Sequence, residues 1–171
     1  MESDLERLSL RLGDVLRNRK LVLACAESCT GGWVSQVVTA TAGSSGWFDR
    51  GFVTYSNAAK QELLGVRAET LRADGAVSEA TVCEMAAGAL RRSHAQVVLA
   101  ISGVAGPTGG SPGKPVGTVC FAWALRGEAP AAETLRFPGD RDAVRRQAVV
   151  HALCGLLRKL GEAGPDIDTT H

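Results

Sequence analysis

Leu21-Val22-Leu23-Ala24-Cys25-Ala26-Glu27-Ser28-Cys29-Thr30-Gly31-Gly32 is the stretch that decides the fold. Leu21 to Ala26 form a continuous apolar run of strand length, the pattern of a strand covered on both faces. A polar turn follows, and Thr30-Gly31-Gly32 opens a helix expected to run through about Thr39. Strand, glycine turn and helix in this order form the opening unit of an α/β sheet. Ligands collect at the carboxyl ends of such strands, where loops and helix starts supply unpaired backbone donors.

The same alternation extends in both directions. Leu5, Leu8, Leu10, Leu12, Val15 and Leu16 fall largely on one helical face, predicting a helix over residues 3–18. Downstream, Ala42-Gly43-Ser44-Ser45-Gly46 ends the second helix, and residues 50–55 read as a strand. Ser56 or Asn57 caps a helix ending near Gly65, and Ser78-Glu79 open another to about Arg92. Val97 to Ile101 is a further buried strand, followed by a glycine-proline loop to Val116. Residues 117–125 and 133–137 predict an antiparallel pair, and Asp140 caps a last helix to about Leu160. The polar end, about 162–171, is expected to fray. This alternation predicts an α/β protein, a three-layer α/β/α sandwich around a mixed sheet.

Composition narrows the function. A chain of 171 residues is expected to form one domain, residues 1–171, around a single core. Nineteen basic and eighteen acidic residues nearly cancel, which argues against a general nucleic-acid binder. No apolar run reaches the length of a membrane span, and the charged segment Met1 to Lys20 does not read as a secretory signal. Five cysteines without zinc-type spacing read as free thiols of a cytoplasmic protein. No ligand cluster for a metal is evident, and no cofactor is implied.

Several residues could carry chemistry. Ser28 stands between a strand and a helix, where a nucleophile is exposed and backbone N–H groups can hold an oxyanion. Ser28 or Thr30 could equally serve as the helix cap. Cys29 is a rival nucleophile, although buried cysteines are usually inert. Lys60 can act as a base only if burial or neighbouring positive charge depresses its pKa; otherwise it is a surface lysine. Tyr55 could pass a proton or hold a hydroxyl. His94, His151 and His171 adjoin no glycine loop, which disfavours a Ser-His-Asp triad. In Ser102-Gly103-Val104-Ala105-Gly106-Pro107-Thr108-Gly109-Gly110, glycines let backbone amides approach an anion, but the loop matches no dinucleotide or Walker pattern. Lys114 either contacts phosphate or is solvated. Asp140-Arg141-Asp142-Ala143-Val144-Arg145 reads as an anion site at a helix start or as a solvated face.

Together these clusters resemble the CinA C-terminal domain, whose stand-alone members are nicotinamide-nucleotide amidohydrolases. The resemblance runs through Ala26-Glu27-Ser28-Cys29-Thr30-Gly31-Gly32, Arg50-Gly51-Phe52-Val53-Thr54-Tyr55-Ser56-Asn57 and Gly75-Ala76-Val77-Ser78. It continues through Ser102-Gly103-Val104-Ala105-Gly106-Pro107, Lys114-Pro115-Val116-Gly117-Thr118-Val119 and Phe137-Pro138-Gly139-Asp140-Arg141. It implies a mixed, mainly parallel five-stranded sheet, commonly a homodimer, and deamidation of nicotinamide mononucleotide to nicotinate mononucleotide and ammonia. It further implies Ser28 as nucleophile with support from Tyr55 and Lys60. Expected substrate contacts are Cys29, Thr30, Gly31 and Gly32, and the loop residues Gly103, Ala105, Gly106, Gly109 and Gly110. The phosphate is expected either on glycine-rich backbone or on Arg141 and Arg145.

Overall fold

Four helices start where a side chain accepts one of their free amides. Ser3, Ser56, Ser78 and Asp140 take the amides of Glu6, Ala59, Thr81 and Ala143, caps worth about 1 kcal/mol each. A computed structural model describes residues 3–167. In chain order the elements are α1 (Asp4–Arg19), β1 (Leu23–Glu27), α2 (Trp33–Thr39), β2 (Phe48–Val53), α3 (Asn57–Leu64) and α4 (Ala68–Asp74). They continue with α5 (Glu79–Arg91), β3 (Val97–Gly103), β4 (Thr118–Leu125), β5 (Ala131–Arg136) and α6 (Arg141–Lys159). A single 3₁₀ turn, Ser44–Gly46, precedes β2.

The sheet order is β2-β1-β3-β4-β5. β1 pairs in parallel with β2 and β3, whereas β4 runs antiparallel to both β3 and β5. This is the mixed α/β sandwich that the sequence predicts. β1 is buried along its whole length, as its uninterrupted apolar run requires. Leu8, Val34, Leu153 and their neighbours on α1, α2 and α6 pack on one face with Cys25, Leu99 and Phe121. Leu64, Leu71, Val82 and Met85 from α3, α4 and α5 pack on the other with Ala24, Ala26, Val98 and Ala100. The small alanines of the sheet let α5 lie close to it. No helix among the described residues is long and apolar enough to cross a membrane.

Three details differ from the sequence reading. β2 starts at Phe48 and ends at Val53, so Thr54 and Tyr55 lie beyond the strand and turn toward α3. α4 is an additional helix of seven residues, too short to show a periodicity, and Arg67 opens it without a side-chain cap. The end expected to fray is held against α1 over residues 162–167. Glu162 pairs with Arg11 and Arg19 at 2.8 and 2.7 Å, and Arg7 donates to the Asp166 carbonyl at 2.7 Å. Residues 168–171, including His171, lie outside the described residues.

The chain leaves β1 through α2 to β2 on one side of it, and returns through α3, α4 and α5 to β3 on the other. The carboxyl ends of β1 and β3 therefore meet at a topological switch point, where an open α/β sheet leaves a crevice.

Candidate active site

The turn after β1 is built from beneath by Glu27. This carboxylate is fully buried and accepts four hydrogen bonds. They come from Thr30 Oγ1 (2.7 Å), Val34 N (2.9 Å), Ser35 N (3.1 Å) and Ser35 Oγ (2.8 Å). Glu27 thus occupies the free amides at the start of α2, the work that the sequence left open for Ser28 or Thr30. Gly31 and Gly32 take left-handed backbone, φ +58° and +99°, to bring the chain round in this space. Ser28 is left with no capping duty.

Lys60 reaches Ser28 from α3. Its Nζ lies 3.0 Å from Ser28 Oγ and donates to the Thr54 carbonyl at 2.8 Å. The side chain is 1% exposed, so the surface-lysine alternative is excluded. Burial depresses its pKa below the ordinary 10.5, with the adjacent Cys29 sulfur acting weakly in the opposite direction. Thr54 follows β2 beside Glu27, donates its amide to the Glu27 carbonyl at 2.8 Å and offers its own carbonyl to Lys60. Thr54 Oγ1 is buried without a partner.

Ser28 and Lys60 open onto a cleft of about 280 Å³, also lined by Cys29, Tyr55, Asn57, Ala76, Val77, Ser102, Gly103, Ala105 and Arg141. Of the expected substrate contacts, Cys29, Gly103, Ala105 and Arg141 line it. Thr30, Gly31 and Gly32 form the turn behind it, and Gly106, Gly109 and Gly110 lie outside it. Gly106 supplies a carbonyl to Arg141 instead, at 2.8 Å. Gly110 packs on Val116. The amides of Cys29 and Ala105 make no hydrogen bond to another described residue.

Three expectations change. Tyr55 is 64% exposed at the rim, and its hydroxyl accepts from Arg141 Nη2 at 3.2 Å; it bonds to neither Ser28 nor Lys60. Arg145 faces the turn after β1 rather than the cleft: Nε donates to the Cys29 carbonyl at 3.0 Å and Nη2 to the Thr30 carbonyl at 3.2 Å. Its guanidinium also lies over the Trp33 ring, 5.3 Å from the centroid. Lys114 donates to the Asp74 carbonyl and is thereby tied to the wall that carries Ala76 and Val77. Lys60 Nζ is bonded to Ser28 Oγ and not to the Cys29 sulfur, and desolvation pushes the Cys29 thiol up to about 12, both of which disfavour Cys29 as the rival nucleophile. His151 pairs with Glu133 among Phe121, Trp123 and Phe137, and neither it nor His94 lines the cleft.

Asn57, Ala76, Val77 and Ser102 are lining residues that the sequence did not single out. In the sequence Asn57 reads as a helix cap and as the end of the Arg50–Asn57 motif, and Ala76-Val77 lie in a glycine-led cluster that follows α4.

The family model for the CinA C-terminal domain matches residues 5–160 of this chain. The chain belongs to the CinA C-terminal domain family. It is 57% identical over 153 residues to the nicotinamide-nucleotide amidohydrolase PncC of Escherichia coli K12, covering 89% of this chain and 92% of that protein. It is 52% identical over 158 residues to PncC of Enterobacter agglomerans, covering 92% and 96%. Among solved structures, a competence/damage inducible protein from Agrobacterium tumefaciens superposes with a TM-score of 0.89 at 43% identity, covering 94% of this chain and 97% of that one. CinA-domain relatives therefore share both sequence and architecture with the present chain.

Proposed function

We propose that this chain is a nicotinamide-nucleotide amidohydrolase, converting nicotinamide mononucleotide and water to nicotinate mononucleotide and ammonia in pyridine-nucleotide recycling. The observation that carries the mechanism is the 3.0 Å contact between Lys60 Nζ and Ser28 Oγ at a lysine only 1% exposed. The names of the relatives support the substrate.

Neutral Lys60 accepts the Ser28 proton as Oγ attacks the carboxamide carbon. The carbonyl oxygen becomes an oxyanion facing the backbone amides of Cys29 and Ala105. Losing one such donor typically costs about 3 kcal/mol of transition-state stabilisation. The C–N bond then breaks as the Lys60 ammonium returns its proton to the leaving nitrogen. Water attacks the resulting ester on Ser28 with Lys60 again as base, releasing nicotinate mononucleotide and restoring the serine.

Tyr55 enters as part of the rim. Its hydroxyl accepts from Arg141, whose remaining N–H groups are available to the substrate phosphate. An adjoining hollow of about 530 Å³ past Ala105 and Arg141 gives room for the ribose phosphate. Arg145 is committed to the Cys29 and Thr30 carbonyls, which makes Arg141 the better phosphate ligand of the two.

A purely nucleotide-binding module would have no use for a buried lysine on a serine, an arrangement that costs desolvation free energy. Incubating the purified chain with nicotinamide mononucleotide, with chromatography of the product and an ammonia assay, tests the reading. Equal amounts of nicotinate mononucleotide and ammonia are expected. Recovery of the intact nucleotide from a protein that binds it would reject catalysis.

A further inference from the structure

β1 and β3 pair in parallel with Glu27 opposite Ile101, so Ser28, the first residue beyond β1, lies beside Ser102, which is still in β3 and paired with Cys120 of β4. The Ser28 amide donates to the Ile101 carbonyl at 3.0 Å and holds that register. Along β3, Val97, Leu99 and Ile101 enter the core under α1, α2 and α6, whereas Val98 and Ala100 enter the core under α3, α4 and α5. Ser102 continues the second set, on the side from which Lys60 approaches.

Ser102 is 1% exposed, lines the cleft, and its hydroxyl bonds to no described residue. Trp47 Nε1 and Thr54 Oγ1 are the enclosed side-chain atoms without a partner among the described residues; the Ser102 hydroxyl differs from them in reaching the cleft, where a ligand can supply its partner. Lys60 cannot be that partner through its existing bonds, because Nζ is directed at Ser28 and the Thr54 carbonyl. A carboxamide brings an acceptor and two N–H donors. Its oxygen faces backbone amides in the mechanism above, so its nitrogen needs an acceptor beside Ser28. Ser102 is a buried hydroxyl in that position.

Resting on the amidohydrolase reading, we infer that Ser102 is a further substrate-contacting residue: its Oγ accepts an N–H of the carboxamide and fixes which way that group is turned. Ser102 transfers no proton; the leaving nitrogen is protonated from Lys60. The contact favours an amide over an ester of the same acid, because an alkoxy oxygen has no hydrogen to donate.

The test compares nicotinamide mononucleotide with the methyl ester of nicotinate mononucleotide, in wild type and in Ser102→Ala. Ser102→Cys, similar in volume but a poor acceptor, serves as the second variant in case alanine perturbs folding. For both variants, kcat/KM on the amide is expected to fall about tenfold or more, and on the ester by less than about threefold. Equal losses on both substrates would mark Ser102 as merely structural and overturn the inference. An undiminished rate on the amide would overturn it as well. A wild type that releases no ammonia from the amide would sink the underlying reading, and this inference with it.

Discussion

Replacing Arg145 by methionine separates two roles for this residue that the sequence could not distinguish. The guanidinium donates to the Cys29 and Thr30 carbonyls at 3.0 and 3.2 Å and lies 5.3 Å from the centroid of the Trp33 ring. Hydrogen bonds from a charged donor contribute roughly 1.5–3 kcal/mol each when shielded from water. The Arg145 side chain is 28% exposed, so water can reach the freed carbonyls. With the cation–π contact included, the net loss comes to about 2–3 kcal/mol. In a domain of this size that corresponds to a fall in Tm of about 4–12 °C. The Cys29–Thr30 peptide follows the proposed nucleophile Ser28 directly, and freeing its carbonyl loosens the turn on which Ser28 sits. The kcat of Arg145→Met on nicotinamide mononucleotide is therefore expected to fall about tenfold to a hundredfold, since small displacements of a reacting group carry large rate penalties. KM should change little, because Arg145 does not line the cleft. Thermal unfolding and steady-state kinetics on the same preparation give both quantities. A large rise in KM with unchanged kcat and Tm would refute the reasoning and return Arg145 to the phosphate.

Four further expectations concern the cleft itself. Burial lowers the pKa of Lys60, so the folded protein binds fewer protons than the unfolded chain between that depressed value and 10.5. The stability cost is complete below the folded pKa and disappears as pH rises to 10.5; urea unfolding should show wild type gaining on Lys60→Met across that window, and a flat difference would contradict it. The kcat/KM of wild type should rise with pH as the neutral amine forms, with its midpoint below 10.5, and Lys60→Arg should be inactive at every pH. Tyr55→Phe removes only the bond to Arg141, so KM should rise by less than about tenfold with kcat retained; a collapse of kcat would place the phenol in proton transfer. Cys29→Ala should keep kcat within about threefold of wild type, since Lys60 Nζ is bonded to Ser28 Oγ and the Thr54 carbonyl and leaves the thiol, pushed up by burial, without a base.

The sheet and its principal helices were legible because their signals are local. Leu21 to Ala26 and Val97 to Ile101 are apolar runs of strand length, and Ser56, Ser78 and Asp140 are capping residues that act within one turn. α4 was missed because seven residues opened by Arg67 carry neither a period nor a side-chain cap. The site was legible only as a set of candidates. Lys60 is 32 residues from Ser28 and reads alone as a surface lysine; the two groups that hold it inside, Ser28 Oγ and the Thr54 carbonyl, come from other segments of the chain. Glu27 reads as the end of a strand, and its capping of α2 depends on a left-handed turn at Gly31 and Gly32. Arg145 reads as an anion site because the carbonyls it serves belong to a segment more than a hundred residues away, |i−j| = 116 for Cys29.

The central claim is that Ser28 carries the acyl group. Ammonia release from nicotinamide mononucleotide should be measured with Ser28→Ala beside wild type, both shown to be folded by circular dichroism and thermal unfolding. Because the hydroxyl is the bond-forming atom, turnover is expected to fall by about four orders of magnitude or more while the nucleotide still binds. A folded Ser28→Ala protein that releases ammonia at the wild-type rate would contradict the account.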